Sequence, residues 1–222
     1  MNPFNIAIDG PSGAGKSSLA DALAAQYGLI HLDTGAMYRA VALALHQQGI
    51  PPKSTEALKE ALDTITLDMS QKDKVFLNRE DVSQAIRTPE VSQLASQYST
   101  LPDVRQKLVA LQQQITASKG FIVDGRDICD VVLPNAEVKI YLDAAPEARA
   151  KRRMVQDAQK GKIIPYEKVL QDILQRDARD MNRKENPLRK SEQATLVDSS
   201  HLDFDQTLAT LQAVVEKSLS NS

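Results

Sequence analysis

A chain of 222 residues is long enough to bury one substantial core, and a formal charge of −2 at pH 7 excludes a general nucleic-acid or membrane-surface binder. The lone cysteine, Cys129, rules out an internal disulfide and a cysteine-rich metal site. No apolar run approaches the length of a membrane span, and the first residues lead into a strand pattern and not a secretion signal, so a soluble, cytosolic protein is expected.

The N-terminal stretch organises the rest. Phe4-Asn5-Ile6-Ala7-Ile8-Asp9 reads as a short buried strand. Gly10-Pro11-Ser12-Gly13-Ala14-Gly15-Lys16-Ser17 follows and fits G-x-x-x-x-G-K-[ST], the phosphate-binding loop. From Ser17 to Tyr27, Leu19, Ala20, Leu23 and Ala24 recur at helical spacing, so the motif sits between a strand and a helix as its chemistry requires. Glycines 10, 13 and 15 let backbone N–H groups converge on phosphate oxygens, and the helix start adds unpaired N–H groups. Lys16 is placed for the β and γ phosphates and Ser17 for a phosphate-bound Mg²⁺, with Ser18 doubling the hydroxyl.

Residues 28–33 form a turn and a second strand, and Thr34 is the expected N-cap of an Ala/Leu-rich helix to about Gly49. Arg39 lies one turn inside it and by pattern alone is a solvated helix arginine. A helix is expected over 54–62. The alternation at 64–69, a turn at 71–73 and a strand at 74–78 then predict a hairpin, within a small antiparallel insertion spanning 63–85. Helical segments run from 86 to about Ala117 with a break at Pro102, Thr88 and Pro89 suiting N-cap and first-turn positions.

Gly120 to Asp124 is a further buried strand running into Gly125-Arg126-Asp127, the kind of cluster that lies at the ligand-binding end of an α/β sheet. Asp124 also resembles the acid that follows an apolar strand in P-loop proteins. A strand at 138–142 precedes a helix from Pro146 with Arg149, Lys151, Arg152 and Arg153. After a break at 161–164, Pro165 reopens a helix on which Arg176, Arg179, Asp180 and Arg183 share one face, with Val169, Leu170, Ile173 and Leu174 packing inward beside it. Three arginines with so little acidic compensation call for a visiting anion. A strand at 195–198 and a helix at 204–219 close the chain. His31, His46 and His201 are scattered, with no ligand-like spacing.

Five strands alternating with helices predict a parallel α/β sheet around the phosphate loop. The Asn-Lys-x-Asp base-recognition motif of switch GTPases is absent, and arginine-rich segments suit phosphoryl transfer. Several motifs occur in order over nearly the whole chain: Ile8 to Lys16, Leu32-Asp33-Thr34-Gly35-Ala36-Met37-Tyr38-Arg39, Asp81-Val82-Ser83 with Ile86-Arg87-Thr88, Asp124-Gly125-Arg126-Asp127, and the arginine–aspartate run from Arg176 to Arg183. Together they resemble the bacterial cytidylate kinases.

That resemblance implies a nucleoside monophosphate kinase fold. Its single domain would comprise a core (1–62, 86–148 and 166–222), a monophosphate-binding insertion near 63–85 and an arginine-bearing lid near 149–165. It implies transfer from ATP to CMP or dCMP with Mg²⁺, in a cytoplasmic monomer without nucleic-acid or membrane partners. By the same resemblance the backbone of Gly10, Pro11, Ser12, Gly13, Ala14, Gly15, Lys16, Ser17 and Ser18 cradles ATP, and Ser17 meets the metal. Arg152 and Arg153 belong to the lid and to ATP. Arg39, Arg126 and Arg183 match the arginines around the CMP phosphate, Arg176 and Asp180 the pair near the ribose, and Ser96, Arg105 and Asp127 the groups that read cytosine. Lys16, Arg126, Arg176 and Arg183 are thus the expected catalytic cations, and Thr34 stands in the acceptor site where some members carry serine. A P-loop kinase of another small acceptor, such as a different monophosphate or shikimate, and a nucleotide switch that binds partners remain the alternatives.

Overall fold

A computed structural model describes residues 3–71, 74–159 and 161–220. In chain order the elements begin β1 (Ile6–Asp9), α1 (Lys16–Tyr27), β2 (Ile30–Asp33), α2 (Thr34–Gln47) and α3 (Glu56–Thr64). Three two-residue strands follow, β3 (Leu67–Asp68), β4 (Phe76–Leu77) and β5 (Glu80–Asp81), then α4 (Pro89–Tyr98) and α5 (Pro102–Ile115). The chain continues through β6 (Phe121–Gly125), β7 (Val138–Asp143), α6 (Pro146–Gln159), α7 (Tyr166–Asn182), β8 (Thr195–Asp198) and α8 (Phe204–Ser220). A 3₁₀ turn at Ala85–Arg87 and a π-helical turn at Ile128–Val132 complete the set.

The five longer strands form one parallel sheet in the order β2-β6-β1-β7-β8, as the alternation of strands and helices predicts. β1 is central: Ile6 to Asp9 pair with Ile122 to Gly125 on one side and Val138 to Tyr141 on the other. Such short, apolar central strands must be covered on both faces. On one face Ile6, Ile8, Ile122, Val138, Ile140 and Leu142 pack with Leu19 and Leu23 of α1 and with Leu211 and Val215 of α8. On β1 and β7 the alternate residues, Ala7, Lys139 and Tyr141, belong to the opposite face, where the Cys129 thiol lies 3.6 Å from the Ala7 carbonyl and 3.7 Å from that of Ile140. Cys129 is fully buried, and burial pushes its thiol well above the ordinary range, so it is inert packing.

The described residues fall into two compact units, one of residues 1–31 with 118–222 and one of residues 32–117. The second unit is built on α2, whose Met37, Ala40, Val41 and Leu45 are fully buried, and its α4 supplies the equally buried Tyr98, whose hydroxyl donates to the Ile50 carbonyl. Its small sheet has three antiparallel strands where the sequence pattern predicts a hairpin. The added strand, β5, exists because Asn78 and Arg79 take φ of 48° and 74° and turn the chain back on β4. Lys72 and Asp73 of the expected 71–73 turn lie outside the described residues. Thr88 caps α4 through a 3.2 Å bond from the Val91 N–H with Pro89 at the first turn, as expected. The expected N-cap Thr34 is instead the first residue of α2: Asp33 is the cap, its carboxylate accepting from the Ala36 N–H at 2.9 Å. A longer, charged acceptor one position earlier outcompetes the hydroxyl. On α7, Val169 and Ile173 face inward, but Leu174 is 48% exposed.

The phosphate loop leaves β1 at Gly10, whose φ is 151°. A Cβ built there would stand 2.0 Å from the Leu142 carbonyl oxygen of the neighbouring β7. Gly10→Ala therefore strains the backbone and forces two strands apart, and its expected cost is about 3 kcal/mol or more. Gly28→Ala, at the C-cap of α1 with φ of 66° and nothing within 4 Å, is expected to cost only about 1–2 kcal/mol. Urea unfolding of both variants checks this; equal losses would refute the close-approach argument.

Candidate active site

The loop at Gly10–Gly15 opens α1, whose first-turn N–H groups have no side-chain cap. They are available to an anion. Lys16 is 6% exposed, and its ammonium lies 2.7 Å from each of the carbonyl oxygens of Gly10 and Pro11. Burial, followed by the charge of Arg126, pulls it down to about 7, with Arg176 adding to the effect and Asp124 and Asp9 opposing it. Ser17 donates to Asp124 Oδ2 at 2.9 Å, while Ser18 is exposed. Asp9, the last residue of β1, accepts the N–H groups of Ile128 and Cys129 at 2.7 and 2.9 Å. That pair of bonds ties the π-helical turn after Asp127 to the strand that feeds the loop.

The arginines come with more acid than their helix stripe suggests. Arg126 donates to Asp180 Oδ2 at 2.8 Å, and Arg183 reaches Asp127 Oδ1 at 3.4 Å. Burial opposes ionisation of Asp180, yet Arg126, Arg176 and Arg183 outweigh it and hold its carboxyl below the usual range. The expected common face also divides. Arg179 turns along its own helix toward the Gln175 carbonyl, and Arg183 stands past the end of α7 in extended backbone, where it grips the Asn186 carbonyl. The compensation was hidden because Asp127 and Asp180 pair with arginines from other segments.

Two residues escaped sequence reasoning. Arg149, 3% exposed, donates to the carbonyls of Ser12 in the loop and Ala144 at 3.0 and 2.7 Å, and pairs with Asp177 at 2.7 Å. It braces the loop from α6, and only its place at the buried side of an otherwise basic helix could have marked it. His31 bridges Asp21 and Asp124. Arg152 and Arg153, one turn beyond Arg149 on α6, are engaged away from the loop: Arg152 with Ser199 and the Leu202 carbonyl, Arg153 with Asp157 at 3.1 Å.

Within the second unit, Arg39 pairs with Asp33 at 2.9 Å and is not a solvated helix arginine. Ser96 and Arg105 are each 3% exposed. The Arg105 guanidinium lies 5.8 Å from the Tyr38 ring centroid and donates to the Ser99 carbonyl at 3.4 Å, and the Ser96 hydroxyl has no hydrogen-bond partner among the described residues.

Removing Arg149 would leave Asp177 buried and uncompensated. Arg149→Leu is expected to lower stability by about 3–5 kcal/mol and to weaken nucleotide binding through the unbraced Ser12 carbonyl. Arg149→Leu with Asp177→Leu should regain stability but not affinity. Melts and nucleotide titrations test both; a double variant no more stable than the single one would refute the buried pairing.

The family model for cytidylate kinase matches residues 6–217. The cytidylate kinase of Caldicellulosiruptor bescii is 45% identical over 224 residues, covering 100% of this chain and 99% of that protein. That of Mycobacterium leprae is 43% identical over 218 residues, covering 98% and 97%. Among solved structures, an uncharacterized protein from Eubacterium ventriosum aligns with a TM-score of 0.55 at 14% identity, covering 96% of this chain and 98% of that one. A gluconokinase from Sinorhizobium meliloti aligns with a TM-score of 0.50 at 19% identity, covering 99% and 98%. These structural likenesses speak for the fold alone. With a phosphate loop, a parallel sheet and a family match over nearly its full length, the chain belongs to the cytidylate kinase family.

Proposed function

We propose that this site moves the γ-phosphoryl group of ATP onto the phosphate of CMP or dCMP, giving ADP and CDP or dCDP. The observation that carries the reading is the crowding of Lys16, Arg126 and Arg176 beside the phosphate loop of a cytidylate kinase family chain. Burial and, after it, the like charges of Arg126 and Arg176 pull Lys16 down to about 7, and a polyanion arriving between these cations stabilises them.

The reaction needs no nucleophilic side chain and no general base. A monophosphate oxygen is already an anion, so the obstacle is repulsion between two anionic phosphates. Lys16 leaves the carbonyls of Gly10 and Pro11 for the β and γ phosphates, which the loop N–H groups cradle. Arg39, Arg126 and Arg183 take the CMP phosphate, and Arg176 and Asp180 lie at the ribose. Arg152 and Arg153, on the 149–165 lid, join the ATP phosphates only by leaving Ser199, Leu202 and Asp157. Exclusion of water strengthens every one of these charge contacts.

Mg²⁺ fits the donors present. Ser17 Oγ and Asp124 Oδ2 are hard oxygens 2.9 Å apart, and Asp124 is kept ionised against burial by His31, Lys16 and Ser17. Among the described residues no group of three or more His, Cys, Asp or Glu could hold a metal. A cation shared between one or two protein oxygens and the substrate phosphates is the usual magnesium pattern. When bound, it would neutralise phosphate oxygens. No helix among the described residues is long and apolar enough to cross a membrane, and we place the enzyme in the cytoplasm as a monomer acting on small nucleotides.

Ser96, Arg105 and Asp127 read the base. The buried Ser96 hydroxyl, without a hydrogen-bond partner among the described residues, and the buried Arg105 guanidinium, both in the second unit, support that role. A carboxylate offers acceptors only, so Asp127 suits the amino hydrogens of cytosine and opposes the carbonyl of uracil.

A coupled assay with CMP, dCMP, UMP and AMP tests the function: ADP must appear in a CMP-dependent way, and turnover with another acceptor alone would overturn it. Lys16→Ala is expected to lower kcat by orders of magnitude, about 3–4 kcal/mol, with the fold retained. Asp127→Asn should lose much of its CMP activity and collapse the CMP/UMP ratio of kcat/KM, since an amide turns to suit either base and mismatched polar groups cost about 1–3 kcal/mol. An unchanged ratio would remove Asp127 from base reading.

A further inference from the structure

His31 is the second residue of β2, with its side chain 11% exposed. Its Nδ1 is 2.7 Å from Asp21 Oδ1 on α1, and its Nε2 is 2.8 Å from Asp124 Oδ1 on β6. Asp124 uses its other oxygen, Oδ2, to accept from Ser17 at 2.9 Å. The side chains Asp21, His31, Asp124 and Ser17 therefore form one continuous line from a 60% exposed carboxylate on α1 to the first turn behind the phosphate loop.

A ring between two carboxylates is satisfied at both ends only when both nitrogens carry hydrogen. Both N–H groups then donate. The consequence is directional. Asp124 is fixed on one side by His31 and keeps one oxygen for the Ser17 hydroxyl. Lys16 and Arg126 are further charges that act on it. Without His31 the carboxylate could rotate, turn both oxygens inward, or collapse onto the Lys16 ammonium.

We propose that His31 is a positioning residue for phosphoryl transfer: it holds Oδ1 of Asp124 so that Oδ2 alone faces Ser17 and the magnesium-bound nucleotide. This rests on the magnesium reading above. Partners that orient a metal-facing carboxylate typically change metal affinity or activity by about 10–100-fold when lost.

The test is ADP binding by calorimetry to the full chain, with Mg²⁺ and with EDTA. His31→Phe keeps a packed ring and removes both donors; His31→Leu is a second removal variant, and His31→Gln restores one donor. Wild type should bind ADP more tightly with Mg²⁺. In whichever removal variant folds, that magnesium-dependent gain should shrink by about 10-fold while binding in EDTA stays within about twofold. Its kcat should fall with KM for CMP unchanged, and His31→Gln should recover part of the gain. A full magnesium-dependent gain in a removal variant, with only the melting temperature lowered, would make His31 a fold staple and overturn the proposal. Wild type lacking any such gain would instead overturn the magnesium reading on which the proposal rests.

Discussion

Cations gathered to meet phosphates repel one another when the phosphates are gone, and this chain must fold with them already in place. Lys16, Arg126 and Arg176 lie close enough for the arginines to depress the lysine. The fold answers with acids placed one against each threat: Asp180 on Arg126, Asp127 on Arg183, Asp177 on Arg149, and Asp124 near Lys16. The arrangement is close to neutral locally and yet exchangeable. Each guanidinium has a partner that stabilises the empty site, and a phosphate offers a stronger, bidentate one. Lys16 resting on its own loop carbonyls follows the same logic, with weak internal acceptors standing where phosphate oxygens would be preferred.

The backbone obeys a matching constraint. A loop that presents N–H groups inward must press its own outer side against the sheet, and Gly10 does so at a distance from Leu142 that no side chain would allow. Arg149 holds the same loop from α6 through the Ser12 carbonyl, and Asp9 anchors the π-helical turn that follows Asp127. Rigid support on three sides suits a reaction whose catalysis is positioning and charge neutralisation.

Asp124 links the two themes. It is buried, ionised and shared between His31 and Ser17, so its charge balances Lys16 while its orientation is set from the edge of the sheet. A residue that reads as unremarkable in the chain, a histidine with no companion at ligand spacing, acquires meaning only through that carboxylate.

Much was legible locally. The strand–loop–helix at the N-terminus, the five parallel strands, the Thr88–Pro89 helix start and the family motifs all follow from patterns a few residues long, because strand alternation, helix spacing and glycine placement are local physics. Composition alone settled Cys129 as unpaired within the chain. Where two local signals competed, as with Asp33 and Thr34 for one helix cap, the side chain that could also take Arg39 prevailed. What the tertiary structure decided was the pairing of charges. Arg126 meets Asp180 across 54 positions and His31 meets Asp124 across 93. No periodicity encodes such meetings, since each depends on which strand lies beside which and on how far a side chain reaches once the sheet has closed.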